Sequence, residues 1–201
     1  MKFVLATQNP KKREEMAAIL EDLGVEIVTE EDLGVKIEVE ETGESFAENA
    51  ALKAKAVMEA TGLPAIGDDS GLCVDALHGA PGIYSARYGG EEFDDAGRCQ
   101  LLLEAMRGET DRSAHFETVI CSVFPNNDWI AARGKCAGSI AFAPMGKNGF
   151  GYDPIFFITE QQKTFAQLTA SQKAAISHRG NALRAFKKKL AKYLEEHPEA
   201  Q

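Results

Sequence analysis

The sequence lacks any hydrophobic run long enough to cross a membrane, because nowhere do about eighteen apolar residues follow one another. The opening residues, MKFVLATQNPKKREE, contain an apolar run that is too short for a signal peptide. We therefore expect a soluble, cytoplasmic protein that has no membrane partner.

Paired cysteines, excess positive charge and the commonest phosphate-binding motif are also missing. The four cysteines form no CxxC pair and have no histidine at metal-ligand spacing, which favours reduced thiols. With 22 basic and 31 acidic residues the net charge is -9, which disfavours a nucleic-acid polymer as a partner. No GxxxxGKS or GxxxxGKT motif occurs, which argues against an ordinary P-loop NTPase or kinase.

What the sequence does contain is an alternation of strand and helix patterns. Residues 3–6 form a short apolar run, and Asn9 and Pro10 after it are typical of the first positions of a helix. Residues 35–39 alternate between apolar and charged side chains, which predicts a half-exposed strand.

The second half of the chain adds a hairpin pattern. Residues 116–124 and 129–142 flank an Asn-Asn turn and predict two long paired strands, and capping-box spacing predicts helices after Ser45 and Thr169. Strands separated by helices, together with one hairpin, indicate an α/β fold with a mixed sheet flanked by helices. At 201 residues, 44% of them hydrophobic, the chain can form one sizeable core, so we expect a single domain over residues 1–201.

Residues 66–90, IGDDSGLCVDALHGAPGIYSARYGG, place two adjacent carboxylates after an apolar run. We expect Asp68 and Asp69 at the end of a strand, followed by a Gly/Pro-rich loop to which the sequence assigns no role. Neighbouring strand residues point to opposite faces, so one carboxylate of this pair and one of the pair Glu40 and Glu41 would face a shared site. Two facing carboxylates suit Mg²⁺, although solvated surface acids are the more frequent explanation for such residues alone.

A second polar segment, here called the phosphate segment, lies between the first strand and the first helix. It consists of Thr7, Gln8, Asn9, Pro10, Lys11 and Lys12. Backbone N–H groups and the positive end of the helix dipole attract anions at such a position, and a lysine adds a full charge. An ordinary helix cap explains the segment equally well.

A third cluster joins the motifs NGFGYDP, residues 148–154, and KAAISHRGN, residues 173–181. Phe150 stands between two glycines, so its ring has little local crowding and can stack on a base. His178 and Arg179 offer donors of fixed geometry for the polar edge of a planar ring. A buried loop phenylalanine and a helix-capping histidine are the alternatives. Together the three clusters predict a binding site for a nucleotide whose phosphates are held by Mg²⁺.

Five motifs occur in an order that resembles the inosine/xanthosine triphosphate pyrophosphatases over nearly the whole chain. They are ATQNPKK, EETGESFAENALKAKA, GDDSGLCVDALHGAPGIYSARYGG, NGFGYDPIFF and KAAISHRGNAL. The resemblance implies Mg²⁺-dependent hydrolysis of XTP, ITP and dITP to the monophosphate and pyrophosphate. It also implies an elongated α/β fold whose two lobes enclose a central substrate cleft, in a homodimer.

The same resemblance implies a role for each site residue. Glu40 and Asp69 would bind the metal, and Asp69 would also be the catalytic proton acceptor that activates water. The phosphate segment would hold the phosphates, while His178 with Arg179 would read the 6-oxo edge of the purine. The remaining substrate-binding residues would be Ser70, Phe150, Gly151, Tyr152, Asp153 and Lys173.

Two alternatives stay open at this point. One is a pyrophosphatase of similar architecture that acts on modified pyrimidine or other nucleotides. The other is a non-catalytic nucleotide-binding sensor.

Overall fold

The computed structural model describes residues 1–7, 9–20 and 23–198. Within these residues the strands are β1 (Lys2–Ala6), β2 (Glu26–Thr29), β3 (Ala65–Val74), β4 (Ser113–Val123), β5 (Trp129–Ile140), β6 (Phe156–Ile158) and β7 (Lys163–Thr164). The α-helices are α1 (Pro10–Leu20), α2 (Phe46–Thr61), α3 (Asp95–Ala105), α4 (Ala170–Ile176) and α5 (His178–Glu196). No described helix is both long enough and apolar enough to cross a membrane.

The strands form one sheet in the order β2-β1-β3-β4-β5-β6-β7. β1 pairs in parallel with β2 and β3, whereas β6 pairs antiparallel with β5 and β7. The five residues 124–128 join β4 to β5, a connection too short for parallel neighbours, so the predicted hairpin is confirmed. The predicted α/β fold with a mixed sheet is confirmed as well.

Local sequence signals account for the first helix and for two later ones. Asn9 Oδ1 accepts a hydrogen bond from Lys12 N at 3.3 Å, and α1 begins at Pro10 as predicted. Ser45 caps α2 by accepting from Glu48 N, and Thr169 forms a reciprocal capping box at the start of α4. These helices begin where the cap residues predict because each cap satisfies N–H groups that the helix leaves unpaired.

The prediction of a strand over residues 35–39 is wrong. The alternation itself is present, since Val35, Ile37 and Val39 are half-buried and the residues between them are exposed. However, the segment joins no strand of the sheet, and the Ile37 amide donates instead to the Glu30 carboxylate at 3.0 Å. An alternating pattern buries one face of a segment, but a strand also needs a neighbour for its backbone groups.

The two carboxylates are not at a strand end, which corrects a second prediction. Asp68 and Asp69 lie in the middle of β3, a continuous strand of 10 residues. The parallel pairing with β1 ends at Ala6 opposite Gly67, immediately before the carboxylates. β3 then continues because it is hydrogen-bonded to β4 on its other side.

The described chain divides into two compact units. Among the described residues, unit 1 contains residues 1–7, 9–20, 23–69, 118–134 and 179–198, and unit 2 contains residues 70–117 and 135–178. Each has its own buried apolar residues, such as Phe3 and Phe186 in unit 1, and Phe116 and Phe156 in unit 2. A single domain over the whole chain stays a prediction.

Candidate active site

Among the described acids of unit 1, Asp68 is the most deeply buried. Its side chain is 0% exposed, Lys12 Nζ lies 2.8 Å from Asp68 Oδ2, and Arg179 Nε lies 3.8 Å from the same oxygen. Burial alone would raise the pKa of this carboxyl, but the positive charges of Lys12, Arg179 and Lys53 outweigh it and lower the pKa. These charges therefore favour the ionised form of Asp68.

Asp69, the next residue, has the opposite electrostatic character. Its Oδ2 accepts from Asn49 Nδ2 at 3.3 Å, and its Oδ1 lies 3.6 Å from Lys53 Nζ. Burial raises the pKa of Asp69, the charge of Glu41 raises it further, and Lys53 only partly opposes them. The two neighbouring acids contact different helices because successive strand residues point to opposite faces: Asp68 meets α1 and α5, and Asp69 meets α2.

Lys53 links Asp69 to the acidic pair that precedes α2. Lys53 Nζ lies 2.6 Å from Glu41 Oε1, whereas Glu40 is exposed. Burial lowers the pKa of Lys53, but the charges of Asp69, Asp68 and Glu41 prevail and raise it. Of the two candidate metal ligands before α2, Glu41 is thus the one whose charge is coupled to Asp69.

Asn49 and Lys53, which face Asp69 from α2, were not predicted from the sequence as site residues. They are four residues apart, so they share one face of the helix. Asn49 is fully buried, and its Oδ1 accepts from Gly43 N at 2.9 Å, which orients the amide. The sequence feature that could have identified them is an asparagine and a lysine four residues apart within an alanine-rich helix.

Gly67 allows α2 to lie close to β3. A Cβ at this position would be 2.4 Å from the Ala50 carbonyl oxygen and 2.9 Å from the Ala54 amide nitrogen. Both atoms are backbone, so neither can move aside without moving the helix. The absence of a side chain at Gly67 therefore sets the distance at which Asn49 and Lys53 reach Asp69.

The phosphate segment lies next to Asp68 in unit 1. Asn9 N donates to Thr7 Oγ1 at 3.3 Å, which folds the turn before α1. Burial lowers the pKa of Lys12, and the charge of Asp68 only partly offsets this effect. Gln8 lies outside the described residues, as does the side chain of Lys11.

In unit 2, a turn of residues 149–151 presents the Phe150 ring. Gly149 and Gly151 have φ angles of 76° and 59°, which favour glycine on both sides of the ring. Asp153 Oδ2 accepts from Phe150 N at 2.9 Å and lies 2.6 Å from Lys173 Nζ. The same ammonium lies 4.7 Å from the centre of the Phe150 ring. Asp153 and Lys173 thus form a buried pair beneath a half-buried aromatic ring.

Three other predicted residues have distinct surroundings. Tyr152 is buried and donates from its hydroxyl to the Ser85 carbonyl oxygen at 2.8 Å, which suits a structural role. Ser70 is half-buried on β3. The buried His178 ring stacks nearly parallel to Phe116, with ring centres 4.6 Å apart.

Arg179 follows His178 in sequence but belongs to unit 1. Its Nη1 lies 2.8 Å from Glu15 Oε2, in addition to the longer contact with Asp68. The two residues predicted to read one purine edge therefore have different immediate partners, an aromatic ring for the histidine and carboxylates for the arginine.

The mixed sheet and the buried, lysine-neutralised carboxylates define an α/β protein with an acidic centre of perturbed pKa values, a feature that is frequent in enzyme active sites. The chain belongs to the Ham1 family, whose model matches residues 3–189. The family predicted from the motifs is confirmed by relatives that carry the corresponding enzyme name.

Two of these relatives are named dITP/XTP pyrophosphatase. The protein of Escherichia coli strain K12 is 50% identical over 187 residues, covering 91% of this chain and 94% of the relative. That of Haemophilus influenzae is 49% identical over 193 residues, covering 94% and 98%.

Solved structures of family members have the same fold. A Ham1 protein from Coxiella burnetii superimposes with a TM-score of 0.90 at 44% identity, covering 96% of this chain and 99% of that one. The Ham1 protein of Staphylococcus aureus gives a TM-score of 0.88 at 42% identity, covering 94% and 98%.

Proposed function

We propose that this chain hydrolyses the non-standard purine nucleoside triphosphates XTP, ITP and dITP to the monophosphate and pyrophosphate. Relatives of similar length that are about half identical carry the name dITP/XTP pyrophosphatase. The observation that carries the proposal is the pair Asp68 and Asp69, whose pKa values are shifted in opposite directions. Environments that separate the pKa values of neighbouring acids are typical of sites with distinct acid-base roles.

Asp69 is the residue that we assign as the proton acceptor. Burial and the charge of Glu41 raise the pKa of Asp69, which makes its carboxylate a better base than an ordinary aspartate. Asn49 and Lys53 fix both of its oxygens, so a water molecule beside it would meet an oriented acceptor. Asp68 stays charged and holds Lys12, which makes it a positioning residue in this mechanism.

The triphosphate would be bound by positive groups of unit 1. Attack of water on a polyanionic chain is opposed by charge, so neutralisation supplies much of the catalysis. Lys12 and Lys53 are already in place beside carboxylates, and the N-terminus of α1 adds backbone N–H groups. We assign these groups, with the rest of the phosphate segment, to the phosphates.

Mg²⁺ dependence is part of the proposal, and the donor set fits this ion. Glu41 and Asp69 both contact the Lys53 ammonium, which indicates a place where positive charge is favoured. Mg²⁺ is usually bound by one or two carboxylates, several waters and substrate phosphate, and Glu41 and Asp69 can supply the two carboxylates. Bound there, Mg²⁺ would neutralise phosphate charge. We propose Asp69 with Glu41 as ligands, and Glu40 as the alternative.

The Phe150 turn and His178 are the groups that we assign to the base. The Phe150 ring can stack on a purine, and the Lys173 ammonium beneath it stabilises the ring face. A donor that pairs with the 6-oxo group of a purine has no acceptor when adenine, which has an amino group there, is bound. The unpaired donor weakens binding of ATP by about 1–3 kcal/mol. His178 is our candidate for that donor, since the contacts of Arg179 with Glu15 and Asp68 favour a charge-balancing role for the arginine.

A nucleotide panel with product identification tests the proposal. XTP, ITP and dITP should release pyrophosphate with Mg²⁺ and lose turnover in EDTA, while ATP should be a poor substrate. Faster hydrolysis of dUTP or dTTP would favour the pyrimidine alternative, and binding without turnover would favour the sensor. Release of orthophosphate and IDP from ITP would refute the cleavage position.

Single variants then assign the metal ligand and the base reader. Glu41→Gln should raise the Mg²⁺ concentration required for half-maximal rate more than Glu40→Gln does. His178→Ala should narrow the rate ratio of ITP to ATP, whereas Arg179→Lys should preserve it. A homodimer and a cytoplasmic location are likewise proposals, which light scattering of the purified protein and fractionation of cells would test.

A further inference from the structure

The Phe150 turn is held by α3 as well as by Asp153. Asp95, the first residue of α3, accepts a hydrogen bond at Oδ2 from Gly151 N at 2.7 Å. Cys99, one helical turn later, donates from Sγ to Gly151 O at 3.4 Å. Both polar groups of the Gly151 peptide are thus bound by one face of α3.

We propose that Asp95 is a positioning residue for the base-binding turn, an inference that rests on the proposed function. Phe150 N and Gly151 N are consecutive amides, and each donates to a different carboxylate, Asp153 and Asp95. With both bonds in place, the backbone of Phe150 and Gly151, which carries the ring, is held in the conformation seen here. Without Asp95, the turn must be ordered when the nucleotide binds, which weakens binding of the base.

Asp94 provides a matched control because it is the adjacent acid with a different partner. It caps α3 by accepting from Gly97 N at 2.8 Å, and among the described residues it forms no hydrogen bond with Gly151. Asp94→Ala should therefore lower the Tm, and it should raise KM less than Asp95→Ala does because the Asp95 carboxylate is retained. Asp95→Asn retains an acceptor oxygen and should preserve the bond to Gly151.

The experiment measures steady-state kinetics on ITP for the wild type, Asp95→Ala, Asp95→Asn and Asp94→Ala. Asp95→Ala should raise KM about tenfold with little change in kcat, because a hydrogen bond to a charged acceptor is lost while the acidic centre is intact. Asp95→Asn should restore KM to within about twofold of the wild type by the same reasoning. Tripolyphosphate, which has no base, should inhibit all four proteins with the same Ki.

The experiment distinguishes failure of the positioning role from failure of the proposed function. An unchanged KM in Asp95→Ala, an equal rise in Asp94→Ala, or a weaker Ki for tripolyphosphate in Asp95→Ala would overturn the positioning role. Failure of the wild type to release pyrophosphate from ITP, XTP or dITP would instead overturn the proposed function, and the variants would not be needed to see it.

Discussion

Replacing Asp68 and Asp69 singly by asparagine should separate stability from catalysis at neighbouring positions. Asp69→Asn should lower kcat by about 10²–10⁴-fold, the usual contribution of a general base. Its free energy of unfolding should stay equal or rise, because burial and Glu41 disfavour the charged form of Asp69 in the folded protein. Lys53 should still pair with Glu41, which lies 2.6 Å from it in the unmutated protein.

Asp68→Asn should behave in the opposite way. Removing one partner from a buried ion pair costs about 3–5 kcal/mol. We expect the lower end, about 3 kcal/mol, because the Lys12 side chain retains 15% exposure and Arg179 keeps Glu15 at 2.8 Å. The kcat of Asp68→Asn should fall less than that of Asp69→Asn, because the only expected effect on catalysis is that Lys12 is held less firmly.

The effect of Asp68→Asn should depend on pH. Burial would raise the pKa of Asp68 in the folded protein, but Lys12 and Arg179 outweigh burial and lower it. Its charge therefore stabilises the fold above the pKa of the unfolded state, ordinarily 3.8. That stability is lost as the pH falls through the folded value. The difference between wild type and Asp68→Asn should therefore be full at pH 7 and shrink in strongly acidic solution.

Urea denaturation followed by circular dichroism measures these differences, with Glu38→Gln as the control. Glu38 pairs with Lys36, but both side chains are largely exposed, at 80% and 74%, so this variant should leave the midpoint unchanged. The reasoning is refuted if Asp68→Asn and Asp69→Asn lower the midpoint equally, or if Asp69→Asn retains a near-normal kcat.

Substitutions at three further positions test other parts of the site. Phe150→Leu should raise KM for ITP about tenfold with kcat retained, since base stacking contributes about 1–3 kcal/mol, and Phe150→Trp should restore KM. Lys53→Met should move the acidic limb of the pH profile of kcat/KM to higher pH, because the charge of Lys53 lowers the pKa of Asp69. An acidic limb at the same pH as in the wild type would contradict the assignment of Asp69 as the proton acceptor. Gly67→Ala should destabilise the protein by about 1–3 kcal/mol and lower turnover, because the added Cβ would lie 2.4 Å from a backbone carbonyl oxygen of α2. A normal Tm and kcat would contradict the close packing of α2 against β3 at Gly67.

The parts of the fold that the sequence predicted correctly are those with local causes. Asn9 caps α1, Ser45 caps α2 and Thr169 caps α4, because each cap satisfies donors only a few residues away. The hairpin also follows from neighbouring residues, an Asn-Asn turn between two runs of strand formers. Such signals need no knowledge of the rest of the chain.

Tertiary pairing decided which patterned segments became strands. Residues 35–39 alternate as a strand does, but no neighbour pairs with them. Residues 65–74 continue past Asp68 and Asp69 because β4 pairs with β3 after β1 has ended. The two-residue β7 was not predicted, since its pairing with β6 leaves almost no pattern in the sequence.

The sequence by itself determined the family, from the order of its motifs, and the mixed α/β class, from the alternation of strand and helix patterns. The proposal of Asp69 as the base came from the family resemblance. Only the tertiary structure decided what surrounds that carboxylate. Asn49, Lys53 and Glu41 reach Asp69 because Gly67 lets α2 approach β3, and Asp68 is paired with Lys12 on the opposite face. The pKa of a carboxyl depends on burial and on charges that are distant in sequence, so two adjacent aspartates acquire opposite character only when the chain is folded.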